Sequence, residues 1–235
     1  MIRAADSMVA AVFAADELAG ACRRAVAARG MAVVAVSGGE TPWRMLERFR
    51  ALDLPWRRIH VAQVDERVVP RGDPRRNLTR LEQILVDDGP LPRGQLHAMP
   101  VDAVNHGVAA AEYQQRLEAL AGCPLVLDLV QLGLGADGHT ASLVPGDRVL
   151  DVADRDAALI GEYRGLPRMT LTFPALNRAR QRLWLVTGAA KAARLRELLA
   201  GDAAGRPPAL RVDRAGAVVV ADAEALPPTL SRRRG

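Results

Sequence analysis

Short, largely apolar runs alternate along this chain with longer segments in which apolar residues recur every three or four positions. The apolar runs lie at residues 31–36, 59–64, 126–132, 183–187 and 217–221. Apolar runs of this length, bounded by glycine or charged residues, predict strands buried on both faces of a parallel sheet. The segments between them predict the helices that cover such a sheet.

The longest intervening segment, residues 7–29, predicts a helix that Asp6 or Ser7 caps and that ends at Gly30. Further helices are predicted at residues 42–52, 75–86, 106–120 and 174–179, and another begins in the turn that contains Lys191. This alternation predicts an α/β fold, a mostly parallel, Rossmann-like open sheet with helices on both faces.

No linker rich in Gly, Pro or Ser divides the chain, so a single domain over residues 1–235 is expected. Residues 201–208 are predicted to form a loop, and residues 147–167 have no readable pattern. No apolar stretch has the roughly 18 residues of a membrane span, and no signal-peptide core follows Met1. A cytoplasmic protein without a membrane partner is therefore expected.

The charge distribution and the cysteine content argue against nucleic-acid binding, a disulfide framework and a metal site. The net charge is +5, but the arginines are interleaved with acidic residues along the chain, and aromatic residues make up only 3% of it. Nucleic-acid surfaces need a clustered basic face, and the one basic run, Arg232–Arg234, is terminal, so no nucleic acid is expected. Two cysteines without metal-ligand spacing predict neither a disulfide framework nor a metal site.

Lysine is almost absent from this arginine-rich chain. Among 32 basic residues, Lys191 is the only lysine. A lysine offers a compact ammonium that can also lose its proton, which arginine cannot replace. This makes Lys191 a candidate site residue.

The 126–132 run ends in a glycine-rich turn that holds a carboxylate and an imidazole. Gly133, Gly135 and Gly138 match the GxGxxG of dinucleotide sites, with Asp137 and His139 among them. We reject a dinucleotide loop because more than half the chain precedes the turn and Asp137 would face a pyrophosphate. His139 instead suits a general base that Asp137, Asp65 or Glu66 orients. No GxSxG elbow is present, and Ser142 alone does not make a nucleophile.

Two other strand ends carry candidate binding residues. Ser37, Gly38 and Gly39 follow the 31–36 strand and precede a helix, which is typical of an anion cradle, although the Walker spacing is absent. Asp65-Glu66-Arg67 follows the 59–64 strand, at the edge where open α/β sheets bind ligands.

Together these segments resemble the 6-phosphogluconolactonases, and the resemblance runs from about residue 31 to 222. In family order the matching segments are SGGETP (37–42), DERVVP (65–70), LGLGADGHTASLVPG (132–146), RMTLT (168–172) and the G-x-x-K ending at Lys191. The related glucosamine-6-phosphate deaminases have DEY and GHIAFNEP where this chain has DER and GHTASL, so both blocks favour the lactonase.

The resemblance implies hydrolysis of 6-phospho-D-glucono-1,5-lactone in the oxidative pentose phosphate pathway, without metal, nucleotide or other cofactor. It implies that His139 activates water, that Asp137 and Asp65 orient or tune it, and that Arg67 serves the phosphate or the oxyanion. The implied phosphate site consists of Ser37, Gly38, Gly39, Arg168 and Lys191, with Asn77 as a further substrate contact.

Two residues depart from the family pattern. Glu40 stands where Ser is common, so its carboxylate must point away from the phosphate, and Arg76 replaces the Ser that usually precedes Asn77. Two alternatives remain open: a deaminase and isomerase acting on glucosamine-6-phosphate, and a non-catalytic sugar-phosphate binder. The sequence leaves the assembly open between a monomer and a homodimer.

Overall fold

The computed structural model, which describes residues 1–201 and 207–226, is built around a central parallel sheet. The strands are β1 (Ile2–Ala4), β2 (Ala32–Val36), β3 (Ile59–Gln63), β4 (Asp65–Arg67), β5 (Leu96–His97), β6 (Leu129–Leu132), β7 (Ala157–Tyr163), β8 (Leu166–Leu171), β9 (Arg182–Val186) and β10 (Ala217–Asp222). Part of the predicted 201–208 loop and the Arg232–Arg234 run lie outside the described residues.

The strand order of the central sheet is β1-β10-β9-β6-β2-β3-β5, and every neighbouring pair is parallel. The chain builds outwards from β2 through β3 to β5, then returns to the other side of β2 with β6. The order therefore reverses between β2 and β6, and open α/β sheets bind ligands outside the carboxyl ends of strands at such a point.

Helices cover both faces of the sheet, as the sequence predicts. They are α1 (Ser7–Arg29), α2 (Glu40–Arg50), α3 (Asn77–Leu81), α4 (His106–Ala121), α5 (Phe173–Arg178) and α6 (Ala192–Ala200). Alternate residues of β2 belong to different cores: Val34 and Val36 pack with α1 and α2, whereas Val33 and Ala35 pack with α4, α5 and α6. The predicted fold class is confirmed.

The first helix has the predicted bounds and the predicted caps. The Asp6 carboxylate accepts a hydrogen bond from the Val9 N–H at 2.8 Å, and Gly30 closes the helix at φ 79°. That left-handed conformation explains why glycine stands at the end of α1. No helix in the described part of the chain is long and apolar enough to cross a membrane.

A second, antiparallel sheet with the order β4-β8-β7 is not anticipated by the sequence pattern. Asp65-Glu66-Arg67 forms strand β4 of this sheet instead of a loop, because it pairs with residues 168–170 of β8. Residues 147–167 form a single helical turn, Arg148–Asp151, followed by β7 and the turn into β8. Pairing between segments about a hundred residues apart leaves no local signal.

Other differences concern element ends. The helix predicted at 42–52 begins at Glu40, and the strand predicted at 126–132 comprises only Leu129–Leu132. The helix predicted at 75–86 is a short α-helix that continues as a π-helical turn, Glu82–Asp87. Strands β1 and β5 have three and two residues, too few for a periodic pattern.

Candidate active site

A cleft of about 430 Å³ opens at the carboxyl ends of β2, β3, β6 and β9, at the point where the strand order reverses. Nine of the predicted site residues line it: Ser37, Gly38, Gly39, Asp65, Arg67, Asn77, His139, Arg168 and Lys191. The tenth, Asp137, contacts His139 directly. Residues from four strand ends thus meet in one place.

A larger and more open depression of about 890 Å³ lies at the opposite end of the sheet, around Trp56 and Arg93. The turns that line it directly precede β3 and β5. None of the predicted site residues reaches this depression. Size therefore does not identify the site, and the chemistry points to the smaller cleft.

The imidazole of His139 is held by two neighbours. Its Nδ1 lies 2.6 Å from Asp137 Oδ1 and 3.2 Å from the hydroxyl of Tyr163, which also donates to Asp137 Oδ2 at 2.8 Å. Because a carboxylate only accepts hydrogen bonds, Nδ1 carries the proton and Nε2 is left as a base. Burial raises the pKa of Asp137, but the hydrogen bonds from His139 and Tyr163 outweigh burial and lower it to about 2.

The glycine turn makes room for this pair. A Cβ on Gly135 would overlap Nδ1 of His139 and Oδ1 of Asp137, so only glycine fits there. The Gly135 N–H donates to the carbonyl of His139 at 2.8 Å, which closes the turn around the imidazole. Gly138 has φ 86°, a conformation that favours glycine. Within the GxGxxG pattern, packing against the histidine thus requires glycine at position 135, and the backbone conformation favours it at position 138.

Asp65 makes no hydrogen bond to His139 among the described residues. Its carboxylate accepts from the hydroxyl of Ser142 at 2.6 Å, and its carbonyl accepts from the Asn77 amide at 2.9 Å. Ser142 is fully buried and bonded to Asp65, not to the imidazole. The carboxylate that touches His139 is that of Asp137, while Asp65 lines the cleft nearby.

Glu66, which the sequence leaves open as an orienting carboxylate, has a structural position. It is completely buried and accepts from the side chain of Gln63 and from the N–H groups of Arg67, Asn77 and Leu78, all at 2.8 Å. Burial raises its pKa despite these four donors. Two of the donors belong to the first turn of α3, so Glu66 anchors that helix to β4.

The Ser37-Gly38-Gly39 turn is held by contacts with Gln131 and Asn77. The N–H of Ser37 donates to the Gln131 side chain and its hydroxyl to the Gln131 carbonyl, both at 3.0 Å. A Cβ on Gly38 would overlap the amide of Asn77, so glycine brings the backbone against this side chain. Gly39, at φ 131°, leads into α2, whose N-terminal end faces the cleft.

Four cations, Arg67, Arg164, Arg168 and Lys191, line the cleft without a carboxylate partner in the described part of the chain. Arg67 and Arg168 are directly opposite each other on β4 and β8, although like charges at such positions repel. The Nε atoms of both are buried without a hydrogen-bond partner among the described residues. Burial lowers the pKa of Arg168 and of Lys191. Partly desolvated cations in a cleft favour an anionic ligand.

The two departures from the family pattern are accommodated away from the cleft centre. Glu40 pairs with Arg44 at 2.7 Å, and its side chain is 82% exposed. Arg76 is buried and pairs with Asp102 at 2.6 Å, with its Nε 3.7 Å from Glu66. Glu40 therefore lies at the rim of the cleft. Arg76, which directly precedes α3, contacts Glu66 of β4 and is buried behind the cleft.

Sequence reasoning misses four residues of the cleft region. Arg164, Thr41 and Thr187 line it, and Tyr163 contacts Asp137 and His139. The hydroxyls of Thr41 and Thr187 lie 2.7 Å apart. Tyr163 and Arg164 fall in the segment without a readable pattern. The one signal that could have located them is the Arg164-Gly165 pair, which can form the two-residue turn of a hairpin.

Across residues 1–201 and 207–226, no three His, Cys, Asp or Glu side chains are grouped to hold a metal ion.

Comparison with known proteins identifies the family to which the chain is similar. The family model of glucosamine-6-phosphate isomerases and 6-phosphogluconolactonases matches residues 5–220. A 6-phosphogluconolactonase of Synechocystis is 39% identical over 184 residues, which cover 77% of this chain and 76% of the relative.

Solved structures agree on the fold. The crystal structure of a 6-phosphogluconolactonase from Thermotoga maritima superimposes with a TM-score of 0.82 at 26% identity, covering 94% of this chain and 97% of that one. A monomeric glucosamine-6-phosphate deaminase reaches a TM-score of 0.81 at 18% identity, covering 95% and 97%. The fold alone thus does not separate the two activities.

Proposed function

Because this chain belongs to the family of glucosamine-6-phosphate isomerases and 6-phosphogluconolactonases, we propose that its cleft hydrolyses 6-phospho-D-glucono-1,5-lactone to 6-phospho-D-gluconate. This is a step of the pentose phosphate pathway. The observation that carries the proposal is the His139–Asp137 pair, held at 2.6 Å beside cations that have no carboxylate partner among the described residues. A general base next to an anion site suits a phosphorylated substrate with an electrophilic carbonyl.

The chemistry follows from the proton positions. Nε2 of His139 takes a proton from water, and the water oxygen attacks the lactone carbonyl to form a tetrahedral intermediate. When this intermediate collapses, the bond to the ring oxygen breaks, and the imidazolium returns its proton to that oxygen as it becomes a hydroxyl. Asp137 stays ionised throughout because its pKa of about 2 lies far below neutral pH, and it stabilises the imidazolium.

The phosphate is proposed to lie against Arg168, Lys191 and the Ser37-Gly38-Gly39 turn. Burial disfavours the charged forms of Arg168 and Lys191. A bound phosphate dianion would stabilise both cations and so offset the free energy of their desolvation. Arg67 lies beside Asn77, with Nη1 3.0 Å from Oδ1, and so adjoins the Gly38 turn. From there it serves the phosphate or the developing oxyanion.

The relatives favour the lactonase over the alternatives. Both discriminating blocks, Asp65-Glu66-Arg67 and the segment after Gly138, resemble lactonases, and the Synechocystis relative is a lactonase. The decisive experiment is a lactone hydrolysis assay from which the spontaneous opening rate is subtracted. Ammonia release from glucosamine-6-phosphate would instead support a deaminase. Binding of 6-phosphogluconate with no acceleration would support a non-catalytic binder.

We expect Lys191→Ala to raise KM roughly ten- to a hundredfold, which corresponds to the loss of one charge-assisted hydrogen bond, with little change in kcat. The reason is that Lys191 is proposed to hold the phosphate, which does not react. Steady-state kinetics on the lactone measure this split. Arg196→Ala, which removes an exposed cation of α6 outside the cleft, is the matched control for net charge. A fall in kcat at constant KM would instead assign Lys191 to the transition state.

Three broader expectations stay predictions: a single domain over residues 1–235, a cytoplasmic location, and a monomer or homodimer. The continuous seven-stranded sheet of the described residues supports the first.

A further inference from the structure

Tyr163 is the last residue of β7 and stands at the hairpin turn into β8. The turn residues Arg164 and Gly165 have φ values of 53° and 77°. Such a two-residue turn matches the twist of its strands, although a left-handed arginine is strained. The turn fixes where β7 ends and directs Tyr163 towards the loop after β6.

The hydroxyl of Tyr163 bridges the two members of the acid–base pair. It donates to Asp137 Oδ2 at 2.8 Å and lies 3.2 Å from Nδ1 of His139, while Asp137 Oδ1 contacts Nδ1 at 2.6 Å. Because the single hydroxyl proton goes to Asp137, the hydroxyl oxygen can only accept from Nδ1–H. Both carboxylate oxygens are thereby held, and the imidazole has one tautomer available.

The ring of Tyr163 has a second set of contacts. It meets the imidazole edge to face, with centroids 5.3 Å apart and planes at 64°. The guanidinium of Arg168 lies over the ring, 5.0 Å from its centroid. Arg168 is buried and opposite Arg67 on the small sheet, so the attraction between its guanidinium and the ring face offsets part of the repulsion between the two cations.

We propose that Tyr163 is a positioning residue that couples the acid–base pair to the phosphate-binding cation, its hydroxyl orienting Asp137 and His139 and its ring supporting Arg168. This inference rests on the proposed lactonase function and deepens it, since it concerns a residue outside the segments that carry the family resemblance. Tyr163 acts through Asp137, His139 and Arg168, and is not itself an acid or a base.

The electrostatics agree with a donor role. Burial, and then the hydrogen bond to Asp137, raise the pKa of Tyr163, so its hydroxyl keeps its proton at neutral pH. The charged groups around the Tyr163 hydroxyl lie on the loop after β6, on the β7–β8 turn, on β8 and β4, and around the start of α6. They are Asp137, Arg164, Arg168, Asp65, Arg67, Lys191 and Arg194. None of them replaces the hydroxyl as a donor to Asp137 Oδ2 among the described residues.

Tyr163→Phe removes the hydroxyl and keeps the ring. We expect kcat to fall about tenfold with KM unchanged, the size of one lost orienting hydrogen bond. Without this donor, Asp137 interacts more strongly with the imidazolium, so the acid limb of the rate profile moves to higher pH. The imidazole titration of His139, followed by NMR and assigned with His139→Ala, should move in the same direction without any turnover.

Tyr163→Ala removes the ring as well. We expect the same loss in kcat and, in addition, a KM about two- to fivefold higher, because Arg168 loses its aromatic support. Tyr113→Phe is the control, since Tyr113 is the only other tyrosine of the sequence and, among the residues that the structure describes, its hydroxyl bonds only to the backbone of Gln63. It should lower the melting temperature without moving the acid limb.

The outcomes separate the two proposals. An inactive wild type would refute the lactonase function, and the NMR titration would still test the bridge. An active wild type with a Tyr163→Phe variant identical in kcat, pH profile and imidazole titration would overturn the positioning role alone. Equal KM values for the Phe and Ala variants would remove the link to Arg168.

Discussion

His139→Ala is expected to reduce lactone hydrolysis by about 10²–10⁴-fold, close to the spontaneous rate, while leaving phosphate-ester binding largely intact. The expectation follows from the structure because His139 is the imidazole of the cleft, and its Nδ1 is already committed to Asp137. No other described group that lines the cleft combines a free base with a partner that stabilises its protonated form. Initial rates with the spontaneous opening subtracted give the first quantity.

The second quantity comes from thermal unfolding. A ligand that binds only the folded state raises the melting temperature, so 6-phosphogluconate should protect the variant about as well as the wild type. His106→Ala is a suitable control, because the ring of His106 contacts the carbonyl of Val101 and lies outside the cleft. Lactone turnover at the wild-type rate by the His139 variant would remove the assigned base.

Gly135→Ala is expected to lower kcat about a hundredfold, although only one methyl group is added and no polar group is lost. A Cβ at this position would overlap His139 Nδ1 and Asp137 Oδ1, so the imidazole must move out of line with the water that it activates. The effect should appear in kcat, because the phosphate contacts lie on other strand ends. Steady-state kinetics measure the loss, and protection by 6-phosphogluconate shows that the cleft is intact.

Gly133→Ala is the matched control within the same motif. A Cβ on Gly133 would meet no protein atom within 4 Å, and the φ of Gly133 lies outside the left-handed region that favours glycine. It should therefore keep far more activity than the Gly135 variant. If both substitutions lowered kcat equally, the motif would require glycine for the mobility of the turn and not for the space beside His139.

The assembly of the cleft was predictable from the chain because it depends on local patterns and one rule of topology. The apolar runs of β2, β3, β6 and β9 are each followed within two residues by glycine or a charged residue. Parallel strands present their carboxyl ends at the same edge, so residues such as Gly38, Asp65 and His139 had to converge. The family resemblance then supplied roles for residues that the pattern had only gathered.

Which of the three carboxylates contacts His139 was not predictable in the same way. The residues alone leave Asp65, Glu66 and Asp137 open as orienting groups, because each follows a buried strand, and the family resemblance leaves Asp137 and Asp65. The structure separates them by their donors: Ser142 for Asp65, the first turn of α3 for Glu66, and His139 for Asp137. Which donors reach a carboxylate depends on segments distant in the chain.

The sequence by itself determined the α/β class, the bounds of α1, the strand ends that form the cleft and His139 as the candidate base, because period, caps and turn residues are local. Only the tertiary structure decided that Asp65-Glu66-Arg67 is a strand, that Arg67 faces Arg168, and that Tyr163 holds the acid–base pair. These three depend on the pairing of β4, β8 and β7. The pairing of β4 with β8 joins segments about a hundred residues apart, so no short window of residues records it. The β7–β8 hairpin has a local turn signal in Arg164-Gly165, but only the folded chain brings Tyr163 against His139, because the two lie on different elements.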